Sequence, residues 1–295
     1  MNTMHRLAAR LLQFSCTSAL ALTCFISDAS AVQLSADGLG EVLIFPYYNT
    51  RADNDTLISI SNHSAGVKAL KIRVVEGELG RGIFTTNLYL PPFQRWNASF
   101  SETETGPQLR SDSQACTLPT LNSPVELNLD ALSASPDDRR NSLDRAREGY
   151  IEVIEMGVVA DEFFFAGANA DAIIRPTNEP ADPCALYAPA WFAADGIWKQ
   201  NPQALLRAPS GQLSGDAVLI NVPEARAAAY SATALKGFYR ATTEADPVSL
   251  HSAPDDLALP NLASAAPAVS RVYLSAENPP RVIEDRWPDA ISAVN

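Results

Sequence analysis

Histidine and cysteine are scarce in this chain of 295 residues, and positive charge is in deficit. Three histidines and four cysteines are present, and 22 Lys and Arg stand against 34 Asp and Glu, a formal net charge of −12. Each shortage excludes something. An acidic chain is repelled by phosphate backbones and by anionic lipid, so nucleic acid is not an expected partner. A Ser–His–Asp hydrolase needs a histidine that an acid orients toward a nucleophile. Beyond the leader only His63, beside Ser64 in the turn "NHSAG", and His251, in an Ala/Pro/Asp-rich connection, are available. Both are expected in solvent. "PSGQLSGD" at 209–216 lacks the Gly-x-Ser-x-Gly spacing of a nucleophile elbow. No glycine loop of the phosphate-cradling kind precedes a helix, and no cofactor is indicated. Histidine and cysteine are also too few for a zinc site.

The first 31 residues read as a secretory signal peptide. Arg6 and Arg10 precede the apolar "LLQFSCTSALALTCFIS", and "DASA" ends at Ala31 in a small-x-small cleavage site. Its apolar core is short for a membrane span, which needs about 20 residues, and no second apolar run of that length follows. Cys24 after "ALT" resembles a lipoprotein box only loosely, because Thr fits poorly before the cysteine. Removing the leader takes away two arginines and one aspartate, so the charge moves from −12 to −13. It also removes Cys16 and Cys24. Cys116 and Cys184 then remain as the only thiols in an oxidising compartment, where a disulfide between them is expected.

What is abundant is apolar/polar alternation. "TLISISN" puts Ile58 and Ile60 on one face, and "KALKIRVVEG" puts Leu70, Ile72 and Val74 on one face with Lys71 and Arg73 on the other. "IFTTNLYL" aligns Phe84, Leu88 and Leu90, and "RWNASFSE" aligns Trp96, Ala98 and Phe100. Four such runs predict antiparallel strands in a sandwich. The first two, joined by "NHSAG", read as a hairpin. "EVLIFPYY" reads as a strand near a sheet edge, because Pro46 cannot donate to a ladder. "SPDDRRNSLDRAREGY" predicts a short exposed helix running into "YIEVIEMG", whose alternation slips between Val153 and Ile154. That slip points to a bulge or to a strand buried on both faces. Residues 176–215, rich in Pro, Gly, Ala and Trp, read as loops with one helical turn near "AWFAADGIW". Strand character returns in "DAVLINV", "AAYSATALKGFY" and "SRVYLS". The expected fold is an all-β, immunoglobulin-like antiparallel β-sandwich over 32–295, with a long disulfide-tied irregular insertion over about 103–215. "WPDAISAVN" stops without a cap, so Ile291 and Val294 are expected to pack poorly and the domain to be cut short at its C-terminus.

The stretches "VLIFPYYNTRADNDTLISISN", "KALKIRVVEGE", "FTTNLYLPPFQRWNASF", "GYIEVIEMG" and "GDAVLINVPEARAAAYSATAL" resemble a family of uncharacterised secreted proteins from proteobacteria. The resemblance implies a secreted β-rich protein and relatives that continue past this C-terminus. It implies no activity.

Candidate site residues are few. Asp53, Asn54 and Asp55 in "RADNDT" offer oxygen ligands, but calcium takes six to eight, and an Asx-rich turn accounts for them. Glu152 and Glu155 fall on opposite faces of a regular strand and are read as solvated charges rather than a glycosidase pair. Tyr47, Tyr48, Trp96, Phe163–Phe165, Trp191, Trp198 and Trp287 are spread through the chain, and Trp96 lies on the expected core face. Trp191 and Trp198 lie in the irregular stretch and are the candidates for exposed ring planes that bind a partner. The resulting expectation is an exported, non-enzymatic structural or partner-binding protein of the periplasm, cell surface or extracellular space. It would take a protein or glycan partner through residues 183–215. A carbohydrate-binding module and a carboxylate-dependent hydrolase are the alternatives.

Overall fold

The computed structural model describes residues 32–104, 106–127, 143–166, 182, 184–239, 250–264, 268–274 and 281–287. The leader, most of the helix expected over 135–149, Ile291 and Val294 lie outside the described residues. The strands are β1 (Gln33–Leu34), β2 (Val42–Asn49), β3 (Asn54–Asn62), β4 (Lys68–Glu76), β5 (Gly82–Leu90) and β6 (Arg95–Thr103). There follow β7 (Gly106–Arg110), β8 (Cys116–Leu118), β9 (Val125–Glu126), β10 (Glu148–Val159) and β11 (Leu206–Arg207). The last are β12 (Leu213–Asn221), β13 (Arg226–Ser231), β14 (Thr233–Lys236), β15 (Ala268–Leu274) and β16 (Arg281–Trp287). Short helices α1 (Asp161–Ala166), α2 (Tyr187–Phe192) and α3 (Ile197–Gln200) fall between β10 and β11.

These strands build the expected all-β antiparallel sandwich. One sheet runs β1–β14–β2–β10–β4–β5–β8, with β11 against β10, and the other runs β13–β12–β3–β6–β7–β9. Its sheets hold eight and six strands, more than the immunoglobulin plan requires. Between them lie Leu43 and Phe45 of β2, Ile58 and Ile60 of β3, Leu70 and Ile72 of β4, and Trp96 and Phe100 of β6. The alternation that signalled each strand selects its inward face. Gly215 of β12 lets the layers approach, since a Cβ there would meet the ring of Phe45 at 2.6 Å.

Several expectations are corrected. β3 and β4 are not a hairpin: β3 pairs with β12 and β6, whereas β4 pairs with β10 and β5. "NHSAG" therefore arches from one sheet to the other, and the Asn62 amide holds it by reaching the carbonyls of Gly66, Leu90 and Pro91. β2 is an interior strand, between β14 and β10. Pro46 is tolerated because β14 stops at Ile44 and the β10 register shifts between Gly149 and Ile151, leaving no ladder bond to lose. The insertion is also narrower than expected. Within 103–215, β7, β8 and β9 extend the two sheets, and β10 stands near the middle of the larger one. β10 explains the slipped alternation. Ile151 and Val153 face the sandwich core while Ile154 and Met156 face outer clusters, and its register with β4 shifts again between Glu155 and Gly157. Of "SRVYLS", residues 270–274 fall in β15, which has a partner, β16, that the sequence reading missed.

Candidate functional site

The cysteines do what their scarcity implied. Cys116 of β8 and Cys184 are bonded, with Cα atoms 4.8 Å apart. The bond secures the segment that carries α2 and α3 against the outer face of the larger sheet.

That placement decides the fate of the two tryptophans. Trp191 is 6% exposed and Trp198 fully buried, so the expectation of exposed binding planes in this stretch is corrected. The physical reason is Tyr89, which β5 points outward from the sandwich core. Its ring stacks on Tyr187 at 4.3 Å and on Trp198 at 5.2 Å, and Trp198 stacks on Phe163 at 4.5 Å. Trp191 Nε1–H donates to the Tyr89 hydroxyl at 2.6 Å, and Trp198 Nε1–H to the Ala204 carbonyl at 2.9 Å. Each indole thus has a partner for its polar atom, as burial demands. A cavity of about 350 Å³ lies alongside, between Phe163, Leu186, Pro189 and Ile197.

His251 belongs to this cluster, which corrects its expected exposure. Its Nδ1 lies 2.6 Å from the Pro202 carbonyl and must carry the proton, leaving Nε2 to accept from the Tyr89 hydroxyl at 3.0 Å. Burial drives its pKa down to about 4, against the upward pull of the Pro202 carbonyl and with help from Lys71. The ring is a neutral structural link between β5 and the 250–259 segment.

The carboxylates of β10 are likewise buried, not solvated. Glu155 shares the inward face with Val153, where it meets Lys68 Nζ at 2.7 Å and the N–H groups of Ser210 and Gly211. Glu152 faces outward and pairs with Arg73. Desolvation raises both carboxyl pKa values against these partners. The two stay on opposite faces, each held by its own cation, so they do not converge on a substrate. Lys71, whose pKa burial lowers to about 8, donates to the Ala253 carbonyl. Arg73, Thr85 and Asn87 hold the carbonyls of Leu257, Pro254 and Ser252 in the same manner. The outward polar residues of β4 and β5 therefore grip a strap of backbone laid across them.

Among the described residues, the second sheet has no such cover over β3, β6 and β12. Its outer face is a shallow trough of about 660 Å³. Leu57, 40% exposed, and Val218 are cross-strand partners at its centre. Ser59, Asn97, Ser99 and Asp216 surround them, with the Arg110–Asp112 ion pair at one side. A rim forms where Ser111 Oγ–H donates to the Asn97 carbonyl and Asn97 N–H donates to Ser113 Oγ. Sequence reasoning did not single out these residues. Their signal was present in the alternation, which sets Ser59 opposite Ile58 and Ile60, and Asn97 between Trp96 and Ala98.

Near the end of this face, exposed His63 places Nε2 2.8 Å from Ser214 Oγ. Among the described residues no carboxylate orients its other nitrogen, so the third member of a triad is missing. "RADNDT" forms a turn closed by Asn54 N–H on the Arg51 carbonyl. No group of three or more metal-ligating side chains occurs among the described residues, and no helix there is long and apolar enough to cross a membrane. Comparison with protein-family models, curated proteins and solved structures finds no match.

Proposed function

We propose that the chain is an exported, non-catalytic binding protein that docks a protein partner on the open face of its second sheet. The observation that carries this reading is the asymmetry of the sandwich. The larger sheet is sealed on its outer side by its own chain, whereas the face around Leu57 and Val218 is left to solvent. An apolar centre within a polar rim is the layout of a protein–protein interface. A glycan partner is the second reading, supported by the hydroxyls and amide of Ser59, Ser99 and Asn97 along neighbouring strands. Export is supported by the leader-like first 31 residues, by the disulfide, and by Val32, which is buried immediately after the expected cleavage point. Absence of turnover is supported by the neutral, enclosed His251 and by carboxylates already spent on internal cations.

Pull-down from envelope extracts, comparing the wild type with a Leu57→Asp/Asn97→Arg variant, tests the reading. Both side chains are exposed, so unfolding free energy should change by less than about 0.5 kcal/mol, while partner capture falls at least about tenfold. Undiminished capture would remove the face from consideration. Turnover that disappears on replacing His63 or one carboxylate would overturn the non-catalytic reading.

A further inference from the structure

The second sheet ends on β13, whose only neighbour among the described residues is β12. Its sequence is RAAAYS, and all but Tyr230 is exposed. Other edge strands of the sandwich, β1, β8, β9 and β11, are two or three residues long. Edge strands are usually guarded by Lys, Pro, a bulge or extreme shortness, because their unpaired backbone can accept another strand. β13 has six residues, no Lys or Pro, and an unbroken register with β12.

The direction of its free groups can be worked out. In an antiparallel ladder, residues alternate between those bonded to the neighbour and those whose N–H and C=O point away. Ala232 N–H donates to the Gly215 carbonyl at 2.8 Å, and this pair continues the β12–β13 register. Tyr230, Ala228 and Arg226 are in step with Ala232 and bond inward. Ala227, Ala229 and Ser231 therefore direct three N–H and three C=O groups outward.

We propose that this edge pairs with β13 of a second copy of the chain, joining two second sheets into one across a two-fold axis at Ala229. Two antiparallel edges related in this way meet about an axis normal to the sheet, so facing residues must share a face. Centring on Ala229 meets that condition. It sets Ala229 against its own counterpart and Ala227 against Ser231, so all three outward-bonding residues on each strand find partners. Six backbone hydrogen bonds result, two from each bonded pair. The side chains brought together on the outer face are Ala, Ala and Ser, and on the inner face Ala228 meets Tyr230. None of these contacts opposes like charges. This self-complementarity favours a second copy over an unrelated strand. The pairing is independent of the docking role of the sheet's outer face.

Sedimentation equilibrium of the purified protein should give twice the chain mass. Ala229→Pro removes an N–H that β12 does not use, so the fold should persist while dimerisation weakens at least about tenfold. Ala229→Lys, which sets two ammonium groups against each other at the axis, should do the same. Ala229→Cys should cross-link copies under mild oxidant, because bonded antiparallel pairs hold Cα atoms about 5.5 Å apart, within disulfide reach. A monomeric wild type at every accessible concentration overturns the proposal, including the case of an edge reserved for another protein's strand. So does a dimer that survives Ala229→Lys. If Ala229→Pro fails to fold, the Lys and Cys variants decide.

Discussion

β4 and β6 carry much the same alternating pattern, yet they end in opposite surroundings. Every residue of β4 is buried, including Lys68, Lys71, Arg73 and Glu76, whereas Arg95 and Asn97 of β6 face water. The difference lies in what the rest of the chain brings to each strand. The cations of β4 meet Glu152 and Glu155 of β10 and a strap of carbonyls from 252–257, and Glu76 meets Arg145 and the N–H groups of Glu78, Leu79 and Arg81. The outward polar residues of β6 meet the short rim at 111–113 and side chains of the neighbouring strands, such as Ser61 and Gln108. Polar residues on the second face of a strand thus mark solvent only when nothing complementary arrives. A buried cation is costly alone and tolerable when paired and hydrogen-bonded.

The sharpest way to break the contrast is to orphan one of those cations. Glu155→Ala leaves Lys68 enclosed without its carboxylate, and should cost roughly 3–5 kcal/mol in urea unfolding. Replacing the pair together, Lys68→Met with Glu155→Leu, should recover most of that loss. A small effect from Glu155→Ala would mean that the covered sheet behaves like the open one.

Next in size is the bond that secures the cover. Cys116→Ser/Cys184→Ser should cost about 2–4 kcal/mol. Its local signature separates the two sheets. Fluorescence of Trp191 and Trp198 should shift to the red as their cluster loosens, while the Trp96 side of the sandwich keeps its hydrogen-exchange protection. Equal loss of protection in both sheets would contradict a cover that is separately attached.

The smallest expected effect is on pH dependence. His251 has a folded pKa depressed to about 4 from the ordinary 6.5. The unfolded chain therefore binds more protons between those values. Stability is complete above about pH 6.5 and declines as pH falls toward 4, by up to about 2 kcal/mol after allowance for relaxation of the site. His251→Gln should flatten that slope. An unchanged slope would show that carboxylates whose folded pKa is lowered, such as Glu76 beside Arg145, govern the acid limb instead.

Much of the sandwich was legible because its signal is local. Ile58/Ile60, Leu70/Ile72/Val74, Leu88/Leu90 and Trp96/Phe100 each name their own inward face with no knowledge of a partner. The cysteine pairing followed from simple elimination. What could not be read depends on residues distant in sequence. Nothing near "NHSAG" tells whether the chain turns back within a sheet or crosses to the other, because Asn62 acts on carbonyls as far away as Pro91. Glu152 and Glu155 look like surface charges until Arg73 and Lys68 are placed opposite them. Trp191 and Trp198 sit in a Pro- and Gly-rich stretch of loop-like composition. Tyr89, about a hundred positions earlier in the chain, gives Trp198 a ring to stack on and Trp191 a hydroxyl to donate to. The candidate face was legible as alternation and illegible as a site, since exposure of a sheet is decided by which other segments fail to cover it.

The disulfide also has a consequence for how the chain survives damage. Cys116 and Cys184 close a covalent ring with a sequence separation of 68, and β10 lies wholly inside that ring. A single cut anywhere from Thr117 to Pro183 thus leaves a molecule of one piece, because both new ends remain attached through sulfur. The strand nearest the middle of the larger sheet stays tethered on at least one side wherever a protease enters. Such nicked material would run as one band without reductant and as two with it. In an environment rich in proteases, the bond would keep a wounded sandwich assembled even where it no longer keeps the backbone continuous.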